Sequence, residues 1–286
     1  MNTIDVSNVK KSYKDFSLNV EKFSLPQGSI VGLIGENGAG KSTLINCILN
    51  IVPYEGEIKI LGKKLTQDMF EDIGVYLDDA FISNVLTINQ IAKVYKKIYS
   101  DFDEEYFFSL CDKMKLTKDK IVKDFSKGMK VKVKLASALA IKPKLLVLDE
   151  PTTGIDPVMR DEILDLFRDF IIDDENAILI SSHITSDLEK IADYIALMDK
   201  GRIVMFTTVD ELRDEYGIAK CSQDKLSTIE KNFIVAYKEN RYNTEILIKD
   251  RTSFKHRYPD LTVDKCSIDE LMTLYLRGEK IWRATC

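Results

Sequence analysis

The sequence predicts an α/β fold, an open sheet with a ligand crevice at the ends of its strands, and three observations carry that expectation. Three apolar runs, Ser29–Ile34, Leu145–Leu148 and Ala177–Ser181, are too short for helices and read as buried strands. Each is followed at once by chemistry: Gly35-Glu36-Asn37-Gly38-Ala39-Gly40-Lys41-Ser42-Thr43 after the first, Asp149-Glu150 after the second, His183 just beyond the third. Ligands of open α/β sheets bind outside the carboxyl ends of the strands. Between the runs lie segments with helical spacing, beginning with Leu44–Leu49.

The first element to justify is the strand–loop–helix unit around Lys41. Its loop matches G-x-x-x-x-G-K-[ST] in the structural context that gives the pattern its meaning. Gly35, Gly38 and Gly40 let successive N–H groups point inward at an anion, and the helix start adds its positive dipole end. Residues 37–43 (Asn37, Gly38, Ala39, Gly40, Lys41, Ser42 and Thr43) are therefore expected to cradle a nucleoside triphosphate. Lys41 would reach the β- and γ-phosphates, and the Ser42 hydroxyl would ligate Mg²⁺. Ahead of the loop, residues 3–34 alternate strand patterns and turns, and Tyr13 could stack on a purine base or sit half-buried in a strand.

After the first helix, Glu57–Leu61 and Asp72–Leu77 read as strands, the latter running into Asp78-Asp79. Thr87 and Gln90 form a capping box for a helix with Ile88, Ile91, Ala92, Tyr95 and Ile98 on one face. Asp103-Glu104-Glu105 opens a second helix, so residues 83–140 read as a helical insertion. Residues 130–135 alternate like a strand, but Val131, Leu135, Ala138 and Leu139 make a helical stripe, and helix is the expectation, with Ser126 and Gly128 at its start. A hydroxyl and exposed N–H groups there again suit a phosphate. In a chain with such a loop, Asp149 at a strand end can hold the Mg²⁺ shell while Glu150 polarises water for attack on the γ-phosphate. Asp156 and Pro157 start a helix through Phe170, and Asp199–Arg202 is a hairpin turn. Beyond residue 217, a hairpin around 239–243, a strand at Leu261–Lys265 and a helix capped by Ser267 and Glu270 make a small α+β region, which carries no Gly-rich loop, acid pair or metal spacing.

Bulk properties narrow the classes. A length of 286 residues, with 45% hydrophobic and 30% charged residues, is ordinary globular composition. A formal net charge of −5 without a basic stripe argues against nucleic acid as a partner. The first residues lack the basic and apolar regions of a signal peptide, and no apolar stretch approaches the ~20 residues that span a bilayer. Five scattered cysteines without C-x-x-C spacing suggest reduced thiols in a cytosol. His256, in Lys255-His256-Arg257, reads as surface.

The ordered set of Gly35–Thr43, Phe125-Ser126-Lys127-Gly128-Met129, Leu145–Glu150, Thr153-Gly154-Ile155-Asp156 and His183 resembles an ATP-binding-cassette (ABC) ATPase, and the variant Ser-Lys-Gly-Met with its appended region is similar to the cassettes of bacterial ABC-2-type exporters for bacitracin and lantibiotics. The resemblance covers about residues 1–217. It implies a P-loop NTPase (RecA-like) cassette with an antiparallel β subdomain and an inserted helical subdomain, followed by the α+β appendage at 218–286. It also implies roles. Tyr13 would stack on adenine, Asp149 would hold Mg²⁺ through water, Glu150 would be the general base, and His183 would contact the γ-phosphate. Ser126 and Gly128 would serve the site of a second ATPase subunit, a copy or a paralogue, in a head-to-tail pair. A separate integral-membrane permease would place the protein on the cytoplasmic face of the membrane, and the loop Phe81–Leu86 would either contact it or pack inside the cassette. Two departures from the family pattern stand out: Asp78 stands where Gln is usual, expected either at the metal or its water or pointing to solvent, and Lys127 and Met129 replace Gly and Gln. The alternative is a soluble cassette ATPase, for instance for iron–sulfur assembly. Repair types would need a long coiled-coil insertion, translation types a second cassette, and a regulatory module without turnover would not keep Glu150 and His183.

Overall fold

The computed structural model describes residues 1–77 and 85–280. In chain order these hold β1 (Asn2–Ser12), β2 (Ser17–Pro26), β3 (Ile30–Ile34), α1 (Lys41–Ile48), β4 (Glu55–Ile60), β5 (Ile73–Tyr76), α2 (Ile88–Ile98), α3 (Glu104–Lys113), α4 (Lys127–Ala140), β6 (Leu145–Asp149), α5 (Pro157–Phe170), β7 (Ala177–Ser181), α6 (Thr185–Ile191), β8 (Tyr194–Asp199) and β9 (Arg202–Thr208). The last part contains α7 (Val209–Glu215), β10 (Gly217–Cys221), α8 (Gln223–Leu226), β11 (Ile234–Glu239), β12 (Thr244–Ile248), α9 (Arg251–Arg257), β13 (Val263–Lys265) and α10 (Ile268–Arg277).

The central sheet has the order β5-β6-β7-β3-β8-β9, parallel throughout except for the antiparallel edge strand β9. Its apolar strands are buried on both faces, which is why they read as continuous hydrophobic runs. Successive residues separate cleanly. Ile30, Leu146, Leu148, Ile178 and Ile180 join one core with α2 to α6, whereas Val31, Leu33, Leu145, Val147 and Leu179 join a second core with α1 and β1, β2 and β4. Those three strands form an antiparallel sheet of order β2-β1-β4. The helices of the expected insertion, α2 to α4, thus lie on one side of the sheet, and the helix after the Gly-rich loop lies on the other.

Local signals account for the helix starts. Thr87 accepts from the Gln90 N–H at 3.3 Å while Gln90 Oε1 accepts from the Thr87 N–H at 2.9 Å, closing the capping box of α2. Ser267 and Glu270 do the same for α10. The expected apolar face of α2 needs one correction. Ile88, Ile91 and Ala92 are buried and Tyr95 packs on the same core, but Ile98, the last residue of the helix, is 63% exposed. The strand-or-helix ambiguity at 130–135 resolves as helix, and ten residues of α4 are buried.

The last region folds around an antiparallel sheet of order β11-β12-β10-β13, with β10 beginning at Gly217. One face of this sheet has its own core of Ile246, Ile248, Phe233 and Phe254. Ile218, Ala236 and Leu247, together with Ile268, Leu271 and Leu274 of α10, belong instead to the same core as α6 and the central sheet.

Candidate nucleotide site

The Gly-rich loop turns between β3 and α1 as its sequence requires. Gly35 at φ 151° and Gly40 at φ 109° take conformations that side chains resist, and a Cβ on Gly35 would lie 2.4 Å from the Met198 carbonyl. No side chain caps α1, so its first N–H groups point into the loop. Lys41 is 7% exposed, and its ammonium donates to the carbonyls of Gly35 at 2.8 Å and Glu36 at 3.3 Å. Burial pushes Lys41 below its ordinary value of 10.5, opposed by the charges of Glu150 and Asp149. Asp149, the last residue of β6, and Glu150 just after it are thus near enough for their charges to act on the lysine. Asn37, Gly38 and Ser42 are exposed along the loop, Thr43 is half-buried, and Ala39 is buried.

The backing of this loop was not legible in the sequence. The Gly201 N–H, in the β8–β9 turn, donates to the Ala39 carbonyl at 2.8 Å, and Phe16 packs against Gly40. Next to Phe16 stands Tyr13, 48% exposed, with ring centroids 6.4 Å apart and the Lys11 ammonium 5.1 Å above the Tyr13 ring. An exposed ring beside the loop can receive a base.

Glu150 follows β6 in a left-handed conformation, φ 53°, that a non-glycine residue adopts only when its surroundings hold it. Its N–H donates to the Ser181 carbonyl and hydroxyl, each at 3.1 Å. Its Oε2 accepts from the Thr153 hydroxyl at 2.9 Å and the His183 N–H at 3.3 Å, and lies 2.6 Å from His183 Nδ1. An ionised carboxylate only accepts, so Nδ1 carries the proton and Nε2 faces away from Glu150. The Ser181 hydroxyl also donates to Asp149 Oδ1 at 2.5 Å. Ser181 is fully buried and pairs with Asp149 in the β6–β7 register. Only a polar residue closing the apolar run of β7 hinted at it. Among the described residues, no group of three or more His, Cys, Asp or Glu side chains forms a metal site. The Ser42 hydroxyl and the Asp149 carboxylate are hard oxygen donors, which suits Mg²⁺, an ion that takes one or two protein ligands beside phosphate oxygens and water. Asp78 lies outside the described residues, as do Phe81 and Ile82.

At the start of α4, Ser126 accepts from the Met129 N–H at 3.3 Å, and a Cβ on Gly128 would meet Met159 Sδ at 2.0 Å. Gly128 is there because α4 packs its first turn on α5. Asp156 caps α5 through the Met159 N–H at 3.0 Å.

A family model of ABC transporters matches residues 18–153. The lantibiotic transport ATP-binding protein SrtF of Streptococcus pyogenes is 34% identical over 206 residues, covering 71% of this chain and 89% of that protein. The bacitracin transport ATP-binding protein BcrA of Enterococcus faecalis is 30% identical, covering 73% of this chain and 70% of its own length. The chain belongs to the ATP-binding proteins of ABC transporters. A solved ATP-binding subunit of an ABC transporter, 26% identical, aligns with a TM-score of 0.66 over 74% of this chain and 92% of that one. This ABC protein thus has the cassette fold, binds ATP and is an ATPase. Among the described residues, no helix is long and apolar enough to cross a membrane.

Proposed function

We propose that this chain is the ATPase subunit of an exporter, pairs head to tail with a second ATPase subunit, and drives a separate membrane permease from its cytoplasmic face. In this reading residues 1–217 are the cassette and 218–286 an appendage docked on it. The observation that carries the catalytic reading is Glu150, held through one carboxylate oxygen by Thr153 and His183 at the strand ends that Lys41 faces. A carboxylate anchored through Oε2 can present Oε1 to a water and take its proton. The phosphates would lie on the N–H groups of the loop and the start of α1, with the Lys41 ammonium meeting the β- and γ-oxygens. Tyr13 would stack on the base, and His183 Nε2 is the ring atom left to meet the γ-phosphate. Ser42 and Asp149 would hold Mg²⁺, which when bound neutralises developing phosphate charge. Catalysis is then positioning and electrostatics.

Two features support partners. Ser126 and Gly128 start a helix whose core lies on the other face of the sheet from α1, so they suit the site of a second subunit better than their own. Val85, Val94, Ile98 and Ile121, all in the helical subdomain, are exposed, and a permease could dock there. Leu86, in the loop from Phe81, packs against the core instead. The likeness to SrtF and BcrA favours an antimicrobial peptide or drug as cargo. Glu150→Gln should lower kcat by about 10²–10⁴-fold, as loss of a general base does, and trap an ATP-bound dimer visible by size-exclusion chromatography. Wild-type turnover in that variant would remove Glu150 from the role. Affinity purification from membranes, with the co-purifying protein identified, tests the permease.

A further inference from the structure

Glu36 is a carboxylate on the loop meant to hold a triphosphate, and its counter-charge comes from the far end of the chain. Arg277, the last residue of α10, donates from Nε to Glu36 Oε1 at 3.0 Å, and its Nη2 lies 3.0 Å from the same oxygen. The helix that delivers it is pinned on several sides. Ile268, Leu271 and Leu274 are buried against the cassette, the Ile268 N–H donates to Glu189 Oε1 at 2.8 Å, and the Tyr275 hydroxyl donates to the Val204 carbonyl at 3.1 Å. Just past the helix, Glu279 pairs with Tyr237 of β11 through both backbone groups, at 2.9 and 2.7 Å. Arg277 therefore stands on a rigid support.

We propose that Arg277 is a positioning residue for the nucleotide site, which neutralises Glu36 and so makes ATP affinity depend on the docking of α10. This rests on reading Gly35–Thr43 as the triphosphate loop. Two effects run through Glu36. Its carboxylate, unpaired, would repel a polyanion on the same loop. Its carbonyl is one of the two that hold the Lys41 ammonium, so displacement of Glu36 also disturbs the phosphate-binding cation. Because the pair is 67% and 53% exposed, its contribution to folding is small while its charge still faces the loop.

The test measures ATP affinity, KM and kcat for the full chain as wild type, Arg277→Ala, Arg277→Lys, Glu36→Gln and the double variant Glu36→Gln/Arg277→Ala, with Lys41→Ala as control. Arg277→Ala is expected to weaken ATP binding and raise KM by about five- to tenfold with kcat within about twofold, a size typical of coupling between sites. Arg277→Lys should restore most of the affinity. The double variant should bind ATP nearly as well as wild type, because without the carboxylate no counter-charge is needed. Two results overturn the proposal: wild-type affinity in Arg277→Ala, or a double variant as weak as Arg277→Ala with an equally lowered melting temperature, which assigns Arg277 to the fold alone. If Lys41→Ala still binds ATP, the reading of the loop fails instead.

Discussion

Two helices of this protein begin with a glycine-containing segment suited to phosphate, and they are built in opposite ways. The start of α1 has no side-chain cap, a buried lysine bonded to its own loop, and a wall made by β8–β9 and Phe16. The start of α4 is already capped by Ser126, has its glycine pressed on Met159, and belongs to the core on the other face of the sheet. The first is a site waiting for an anion. The second is a finished helix end, which in the proposed pair would meet a phosphate as a lid offered by one molecule to another. On the proposed head-to-tail pairing, the difference makes the ATPase two unequal halves, each silent alone.

The largest effect should come from mixing damaged halves. Lys41→Ala removes the phosphate cation and Ser126→Arg blocks the lid, so each homodimer should lose activity by at least about 10²-fold, since electrostatic groups of this kind carry several kcal/mol. In a one-to-one mixture, half the dimers pair one variant with the other, and one of their two sites then has both halves intact. Up to about a quarter of wild-type sites should recover if the pair is symmetric and its subunits exchange. If α4 served its own chain's site, every site would keep one defect and steady-state ATPase assays on the mixture would show none of this recovery.

Smaller in effect, Ser181→Ala sharpens the description of the first half. The hydroxyl donates to Asp149 at 2.5 Å and accepts from the Glu150 N–H at 3.1 Å, so it fixes the Asp149 carboxylate and the Glu150 backbone at once. Its loss should raise the Mg²⁺ concentration for half-maximal activity by about tenfold, as removal of a group that orients a metal ligand does. An unchanged Mg²⁺ titration would mean that Asp149 needs no such guide.

Ser181 also shows where the sequence stops being legible. Lys41, Asp149, Glu150 and His183 announce themselves because each follows a motif or an apolar run. Ser181 matters because β6 and β7 are neighbours in register, and strand order is a long-range fact that no local pattern encodes. The same holds for Gly201, which reads as a hairpin residue and turns out to bond the phosphate loop. Arg277 is more distant still, a charge in a region whose local sequence discloses no chemistry. The helices α2, α5 and α10 were legible from caps and apolar spacing, since those signals are local. Ile98 was misplaced because periodicity does not say where the helix stops, and Ile98 is its last residue.

The smallest effect compares a cysteine behind the phosphate loop with one at the seam of α10. Burial pushes the Cys266 thiol, at the seam between α10 and the cassette, up to about 12, with the Glu270 charge adding to it. It likewise raises Cys47 on α1, where Lys11 partly opposes the shift. The thiolate is the reactive form, so both should resist alkylation in the folded protein. Above the ordinary thiol value of 9.0 the unfolded chain ionises first, so stability should fall as pH rises from there toward 12. Iodoacetamide labelling read by mass spectrometry, with and without denaturant, measures both sites at once. If α10 opens locally while the cassette stays shut, Cys266 labels faster than Cys47 under native conditions; equal rates would mean that the seam opens only with the whole fold.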